Sequence, residues 1–120
     1  MVRVASAKYA HLLNNADIKR WYENLARESK VTADLYVRRL GNFCASHKLT
    51  PEGLPTFSDK QLADLLMDTV TSMESQGLSG GYIETVVKVV RSWLSYNHRY
   101  LKASIKIKGA RETPSLKDAR

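Results

Sequence analysis

Four stretches of this sequence each begin with a residue suited to cap a helix and continue as an amphipathic stripe. Each cap is flanked by two apolar residues at the N′ and N4 positions of a hydrophobic staple. The caps and their staple pairs are Asn14 with Leu13 and Ile18, Thr32 with Val31 and Tyr36, Ser58 with Phe57 and Leu62, and Ser79 with Leu78 and Ile83. Agreement between cap and stripe at four places predicts four helices. Because no segment before residue 103 alternates like a strand, the predicted fold class is all-α.

The apolar faces of these helices define the predicted core. Its residues are Ile18, Trp21, Tyr22 and Leu25 in the first helix; Ala33, Tyr36, Val37, Leu40, Phe43 and Cys44 in the second; Leu62, Leu65, Leu66, Val70 and Met73 in the third; and Ile83, Val86, Val87, Val90, Trp93 and Leu94 in the fourth. A loop from Leu49 to Phe57, with two prolines and a glycine, separates the second helix from the third. Both tryptophans are therefore expected to be packing residues.

The fourth stretch, from Gly77 to Asn97, is the most informative for function. Gly77 suits a helix C′ position and Ser79 a following cap, so a tight turn is expected between two helices. The face opposite its apolar stripe is a polar strip, made of Gly81, Glu84, Thr85, Lys88, Arg91, Ser92 and Ser95. Its first turn has no bulky side chain, and a helix N-terminus followed by cations favours an anionic partner. The strip is either a solvated face or a contact for a phosphate backbone.

Composition favours an acidic partner. The 120 residues have a formal net charge of +7, which suggests nucleic acid first and an anionic membrane surface second. No apolar run is long enough to cross a bilayer, and the N-terminus lacks the apolar core of a secretory signal. Cys44 is the one cysteine, and a buried, inert thiol is expected there. These features predict one domain, a cytoplasmic location and no membrane partner.

Residue patterns for catalysis are missing from this sequence. His11, His47 and His98 are scattered, and with one cysteine they offer no metal-site spacing. No phosphate-loop, dinucleotide or nucleophile-elbow pattern occurs. We therefore predict no cofactor, no metal ligand and no catalytic residue for this chain alone.

The sequence changes character after the fourth helix. Residues 99–111 include five basic side chains and no acidic one, and residues 105–109 alternate with period two. An extended basic connector is expected here, followed by a possible helix start at Thr113–Asp118. The predicted organisation is an N-terminal arm at 1–13, a four-helix domain at 14–101, and a connector at 102–120 that leads towards a further domain.

Three segments together are similar to a known family. TADLYVRRLGNFCASHKL, from Thr32, resembles the second helix of the N-terminal core-binding domain of tyrosine site-specific recombinases, or phage integrases. GLSGGYIETVVKVVRSWLSYN resembles the last helix of that domain, and IKIKGARETPSLKDAR resembles its connector into the catalytic domain. The resemblance implies a four-helix, SAM-like orthogonal bundle that forms half of a clamp around duplex DNA. It also implies that the second and fourth helices face the major groove, and that a separate domain performs strand exchange through a phosphotyrosine intermediate.

The candidate DNA-binding residues come from the polar side of the second helix, the start and polar strip of the fourth, and the basic connector, and the resemblance implies the same helix faces. The candidates are Arg38, Arg39, Asn42, Ser79, Gly81, Thr85, Lys88, Arg91, Lys106 and Lys108. The cations are expected to contact phosphates, while Asn42 and Thr85 are the candidates for base edges. The family usually has polar side chains where Gly80 and Gly81 stand. The expected partners are a recombination or attachment site in duplex DNA and, in a full-length recombinase, other protomers on that DNA; without DNA a monomer is expected.

Two other interpretations remain open at this point. The third and fourth helices with their short turn also fit a helix-turn-helix regulator, which predicts a dimer on a palindromic operator. A helical protein-interaction module would use the same basic strip to bind an acidic protein.

Overall fold

A computed structural model describes residues 7–109, and its regular structure is helical throughout that range, with no strand. The four α-helices are α1 (Ala16–Ala26), α2 (Lys30–Ser46), α3 (Asp59–Ser75) and α4 (Gly80–Tyr96). Two 3-10 helices, Ala7–Asn14 and Pro51–Thr56, precede α1 and α3. The all-α prediction is confirmed for this part of the chain, while the SAM-like orthogonal arrangement stays a prediction.

The predicted starts of α3 and α4 are confirmed. Ser58 accepts a hydrogen bond from the backbone of Gln61, whose side chain accepts one from the Ser58 backbone, so a complete capping box begins α3. Ser79 caps α4 by accepting from the backbone nitrogen of Tyr82 at 3.1 Å. Gly77, with a φ of 81°, ends α3 in the left-handed conformation that glycine adopts without strain.

The predicted caps of α1 and α2 were wrong. Asn15, one residue after the expected Asn14, accepts from the backbone of Asp17 and Ile18. Ser29, three residues before the expected Thr32, caps α2. Serine is a better N-cap than threonine, and the earlier start adds nearly one turn of backbone hydrogen bonds. Because α2 starts earlier, Val31 lies within the helix and is 80% exposed, so it does not act as the expected staple residue.

The core is centred on α4, which packs against both α2 and α3. Seven of its residues are buried, including six of the predicted ones and Val89. Trp93 is 1% exposed and lies edge to face with Trp21, with ring centroids 5.2 Å apart. The indole nitrogen of Trp93 donates to the carbonyl oxygen of Pro51 at 2.8 Å. Both tryptophans are thus packing residues, as predicted.

Residues 7–13, expected to belong to an arm, are part of the packed structure. They lie in the first 3-10 helix, which buries Tyr9 against α2. Gly41 of α2 makes this possible, because a Cβ at that position would lie 2.6 Å from Cγ of Tyr9. Close approach here requires glycine.

Candidate nucleic-acid interface

Two of the predicted helix faces meet beside the start of α4. The guanidinium carbon of Arg39, on α2, lies 4.6 Å from the ring centroid of Tyr82, on α4, in a cation–π contact. Both residues line a groove of about 190 Å³, together with Asn42, Ser46 and Met73. The buried Nε atom of Arg39 has no hydrogen-bond partner among residues 7–109. The guanidinium is therefore oriented by stacking, and its Nε–H group donates no hydrogen bond within that range.

Asn42 lies exposed on the same side of α2 as Arg39. Its Oδ1 atom accepts a hydrogen bond of 2.7 Å from the hydroxyl of Tyr9. An amide oxygen has two lone pairs and the amide nitrogen two protons, so Asn42 retains an acceptor and donors for a further partner. The N-terminal 3-10 helix thus orients a candidate base-reading side chain.

The first turns of α4 present little side chain to solvent. A Cβ added at Gly81 would have no atom within 4 Å, so open space lies in front of that position. The hydroxyl of Thr85 donates to the carbonyl oxygen of Gly81 at 3.0 Å, which leaves it able only to accept from another partner. The Oγ atom of Ser79 accepts the capping bond, which does not use its own proton. The surface near Gly81 therefore offers backbone and the hydroxyl groups of Ser79 and Thr85.

The two cations expected to extend this strip differ in their surroundings. Lys88 is exposed to solvent. Arg91 is partly buried, and its two terminal nitrogens donate to the carbonyl oxygens of Leu101 and Ala103 at 2.8 and 2.7 Å. Lys88 is thus available to an anionic partner, whereas two of the five N–H donors of Arg91 bind the chain that follows α4.

That following segment, residues 101–108, is extended and packs back along α4. Ile105 and Ile107 contact the small apolar cluster of Val70, Ile83 and Val87. Lys106 and Lys108 are exposed, and the backbone nitrogen of Lys108 donates to a carboxylate oxygen of Glu74 at 2.8 Å. The part of the predicted connector that the structure describes, up to residue 108, is neither helix nor strand and is held against α3 and α4.

Arg38, the remaining candidate, is partly exposed on α2. Among the described residues four ion pairs occur, and none includes a candidate residue. They are Arg20–Asp17, Lys30–Asp34, Lys60–Asp64 and Arg99–Asp59. The positive charge of Arg38, Lys88, Lys106 and Lys108 is therefore not neutralised by those pairs. The predicted helix start at 113–118 and residues 1–6 lie outside the described residues.

A second concave feature lies on the other side of α2. It is a cavity of about 560 Å³ between the N-terminal 3-10 helix, α1 and α2, and Cys44 is among its lining residues. Burial, and secondarily the charge of Glu52, raises the pKa of the Cys44 thiol to about 12. A thiol with so high a pKa is a poor nucleophile, which agrees with the predicted inert role. Within residues 7–109 no group of three or more His, Cys, Asp or Glu side chains is placed to hold a metal ion.

Sequence reasoning missed two residues that shape this face, Tyr82 and Glu74, and the role of a third, Arg91. Tyr82 was left out because its partner, Arg39, is 43 positions away and no local pattern links them. Glu74 and the bidentate role of Arg91 depend on the path of the chain after α4. A usable signal for that path was the alternation of Ile105 and Ile107 with lysines, since it requires an apolar surface for one side to cover.

Comparison with protein-family models, with curated proteins and with solved structures finds no match to this chain. Within the described residues, none of the helices has both the length and the apolar character required to cross a bilayer. The geometry of the α2 and α4 faces is thus the basis for any functional assignment.

Proposed function

We propose that this domain binds duplex DNA through the polar strip of α4 and the adjoining side of α2. The observation that carries the proposal is the contact between Arg39 and Tyr82, which joins these two faces at the first turn of α4. The open backbone at Gly81, beside exposed lysines that lie outside the four ion pairs of the described residues, suits a phosphate backbone. The net charge of +7 supports the same class of partner.

The role that fits this surface is the core-binding half-clamp of a tyrosine recombinase. The resemblance of the α2 and α4 sequences to that family supports it, since those are the helices that the family turns towards the major groove. In this proposal a separate catalytic domain performs strand exchange during DNA integration and recombination. The 120-residue chain by itself should form no covalent complex with a nicked suicide substrate.

The proposal is tested by fluorescence anisotropy of a labelled random-sequence duplex, titrated at several salt concentrations. Loss of one phosphate contact in Lys88→Ala should lower the slope of log K against log salt by about 0.9. Lys19→Ala is the matched control, because Lys19 is an exposed lysine on α1. It should leave the slope unchanged.

Each alternative has its own outcome in these titrations. Equal slopes for Lys88→Ala and the original protein would overturn the proposed face. Binding to polyglutamate in preference to duplex DNA would favour the interaction module. A dimer that forms only on a palindromic duplex would favour the helix-turn-helix regulator.

A further inference from the structure

The segment after α4 has a regular alternation that no helix or strand accounts for. From Leu101 to Lys108 the odd-numbered residues are partly buried and the even-numbered residues are exposed. The inward set is Leu101, Ala103, Ile105 and Ile107, and the outward set is Lys102, Ser104, Lys106 and Lys108. A docked, extended chain therefore presents an outward edge of three lysines and a serine.

Contacts at both ends hold this segment in place. Near its start, the fork of Arg91 binds the carbonyl oxygens of Leu101 and Ala103. Near its end, Glu74 accepts from the backbone nitrogen of Lys108. Between them, Ile105 and Ile107 cover apolar residues of α3 and α4. Bidentate guanidinium contacts of this kind fix direction as well as distance.

The geometry of these contacts gives Arg91 a role in holding the segment in place. Both of its terminal nitrogens already donate to carbonyl oxygens at 2.8 Å or less. Three of its five N–H groups remain, so a phosphate contact by Arg91 would add to these bonds and leave the segment docked. Lys102, Lys106 and Lys108 have no such commitment of their ammonium groups among residues 7–109.

We propose that the docked segment 101–108 is part of the DNA-binding surface, and that Arg91 is the positioning residue that orders it. This inference rests on the proposed function and assigns phosphate contact to the outward lysines. Alternate residues of an extended chain lie about 6.6 Å apart, so Lys106 and Lys108 place two cations at that spacing on the outward edge. Because docking orders the backbone before DNA arrives, the complex does not lose that freedom on binding.

The experiment compares three variants of the 120-residue protein on the same random-sequence duplex. Arg91→Lys keeps the charge but loses the fork, Arg91→Met loses both, and the double variant Ile105→Ser, Ile107→Ser undocks the segment without changing any charge. All three should weaken binding by about tenfold, the cost of ordering a few residues, at an unchanged salt slope. A direct phosphate contact predicts a different pattern, in which Arg91→Lys binds almost normally and only Arg91→Met lowers the slope.

Limited trypsin digestion supplies a measurement that does not depend on DNA. In all three variants cleavage after Lys102, Lys106 and Lys108 should accelerate, whereas Arg38→Lys, the control for arginine replacement, should keep the original pattern. Equal cleavage in the original protein and in the variants would overturn the docked segment. Rapid cleavage of the variants with unchanged DNA affinity would overturn only the role of the segment in DNA binding. If the original protein binds no DNA, the proposed function and this role are both overturned.

Discussion

The indole nitrogen of Trp93 and the carbonyl oxygen of Pro51, 42 positions apart in sequence, form a buried hydrogen bond of 2.8 Å. This bond ties the central helix to the 3-10 helix that precedes α3. Arg99 reinforces the same junction by donating to the carbonyl oxygens of Pro55 and Phe57 and to the carboxylate of Asp59. The loop between α2 and α3 is therefore held by one side chain of α4, Trp93, and by one that follows α4, Arg99.

Trp93 should be the more costly of the two tryptophans to replace by phenylalanine. Trp93→Phe leaves the buried Pro51 carbonyl unsatisfied, which costs about 1–3 kcal/mol. Trp21→Phe is the control, because its partner, the hydroxyl of Ser92, is partly exposed and water can replace the bond. Trp93→Ala should cost about 3–5 kcal/mol of unfolding free energy. Urea denaturation measures all three, and equal losses for the two phenylalanine variants would contradict the expectation.

The effect of Gly41→Ala on the free energy of unfolding should change sign when Tyr9 is replaced by alanine. In the original protein the new methyl meets the Tyr9 ring, and overpacking of this kind costs about 1–3 kcal/mol. In a Tyr9→Ala background the obstacle is gone, so the ordinary preference of a helix for alanine should stabilise by up to about 1 kcal/mol. A double-mutant cycle by urea denaturation measures the coupling. Stabilisation by Gly41→Ala alone would show that the N-terminal 3-10 helix does not pack there.

Gly81→Ala should raise stability and lower DNA affinity. A methyl at this position has open space and should add up to about 1 kcal/mol to the free energy of unfolding. If a DNA backbone presses against the first turn of α4, the same methyl holds the surfaces apart and weakens binding by about 1–3 kcal/mol. Asn24→Ala, at an exposed position of α1 outside the proposed face, is the control that should leave binding unchanged. Urea denaturation and anisotropy titrations on both variants measure the two effects. An unchanged DNA affinity for Gly81→Ala would show that DNA does not lie close to the first turn of α4.

The Cys44 thiol predicts a loss of stability at alkaline pH. Its pKa is raised to about 12 in the folded protein, so the folded state disfavours the thiolate. The stabilisation is complete below the unfolded pKa of about 8.5 and falls as pH rises from there towards the folded value, by about 1.4 kcal/mol per pH unit. Tyr22, whose pKa burial and Asp34 also raise, adds a loss of the same sign at higher pH. Urea midpoints at pH 8, 9 and 10 should decline more steeply for the original protein than for Cys44→Ala, and parallel curves would refute the assignment.

The sequence predicted the parts of this fold that local chemistry decides. Ser58, Ser79 and Gly77 have hydrogen-bond or dihedral roles that depend on neighbours within four residues, and all three were placed correctly. The α2 start was misplaced because Ser29 and Thr32 both satisfy local rules, and they differ only in capping strength and in the number of backbone hydrogen bonds that follow. Periodicity likewise found the buried faces, but it missed the burial of Val89, which arises because α4 packs against two helices.

The candidate site was predicted less completely, because its residues meet across long sequence separations. Arg38, Arg39, Asn42 and Lys88 were found as polar positions on amphipathic helices, and their role in DNA binding stays a prediction. Whether an arginine on such a face is free or committed depends on what packs beside it. Arg91 and Arg39 looked alike in the sequence, yet one binds two backbone carbonyls and the other stacks on Tyr82.

The docked segment also determines where the described chain leaves the helices. It runs back along α4 from the neighbourhood of Arg91 to that of Glu74, near the turn between α3 and α4. A helix of 17 residues is about 25 Å long, so the exit is displaced by much of that length from the last turn of α4. The described chain therefore ends beside the first turn of α4, so a fluorescent reporter attached at Gly109 would sense DNA that approaches the glycine surface.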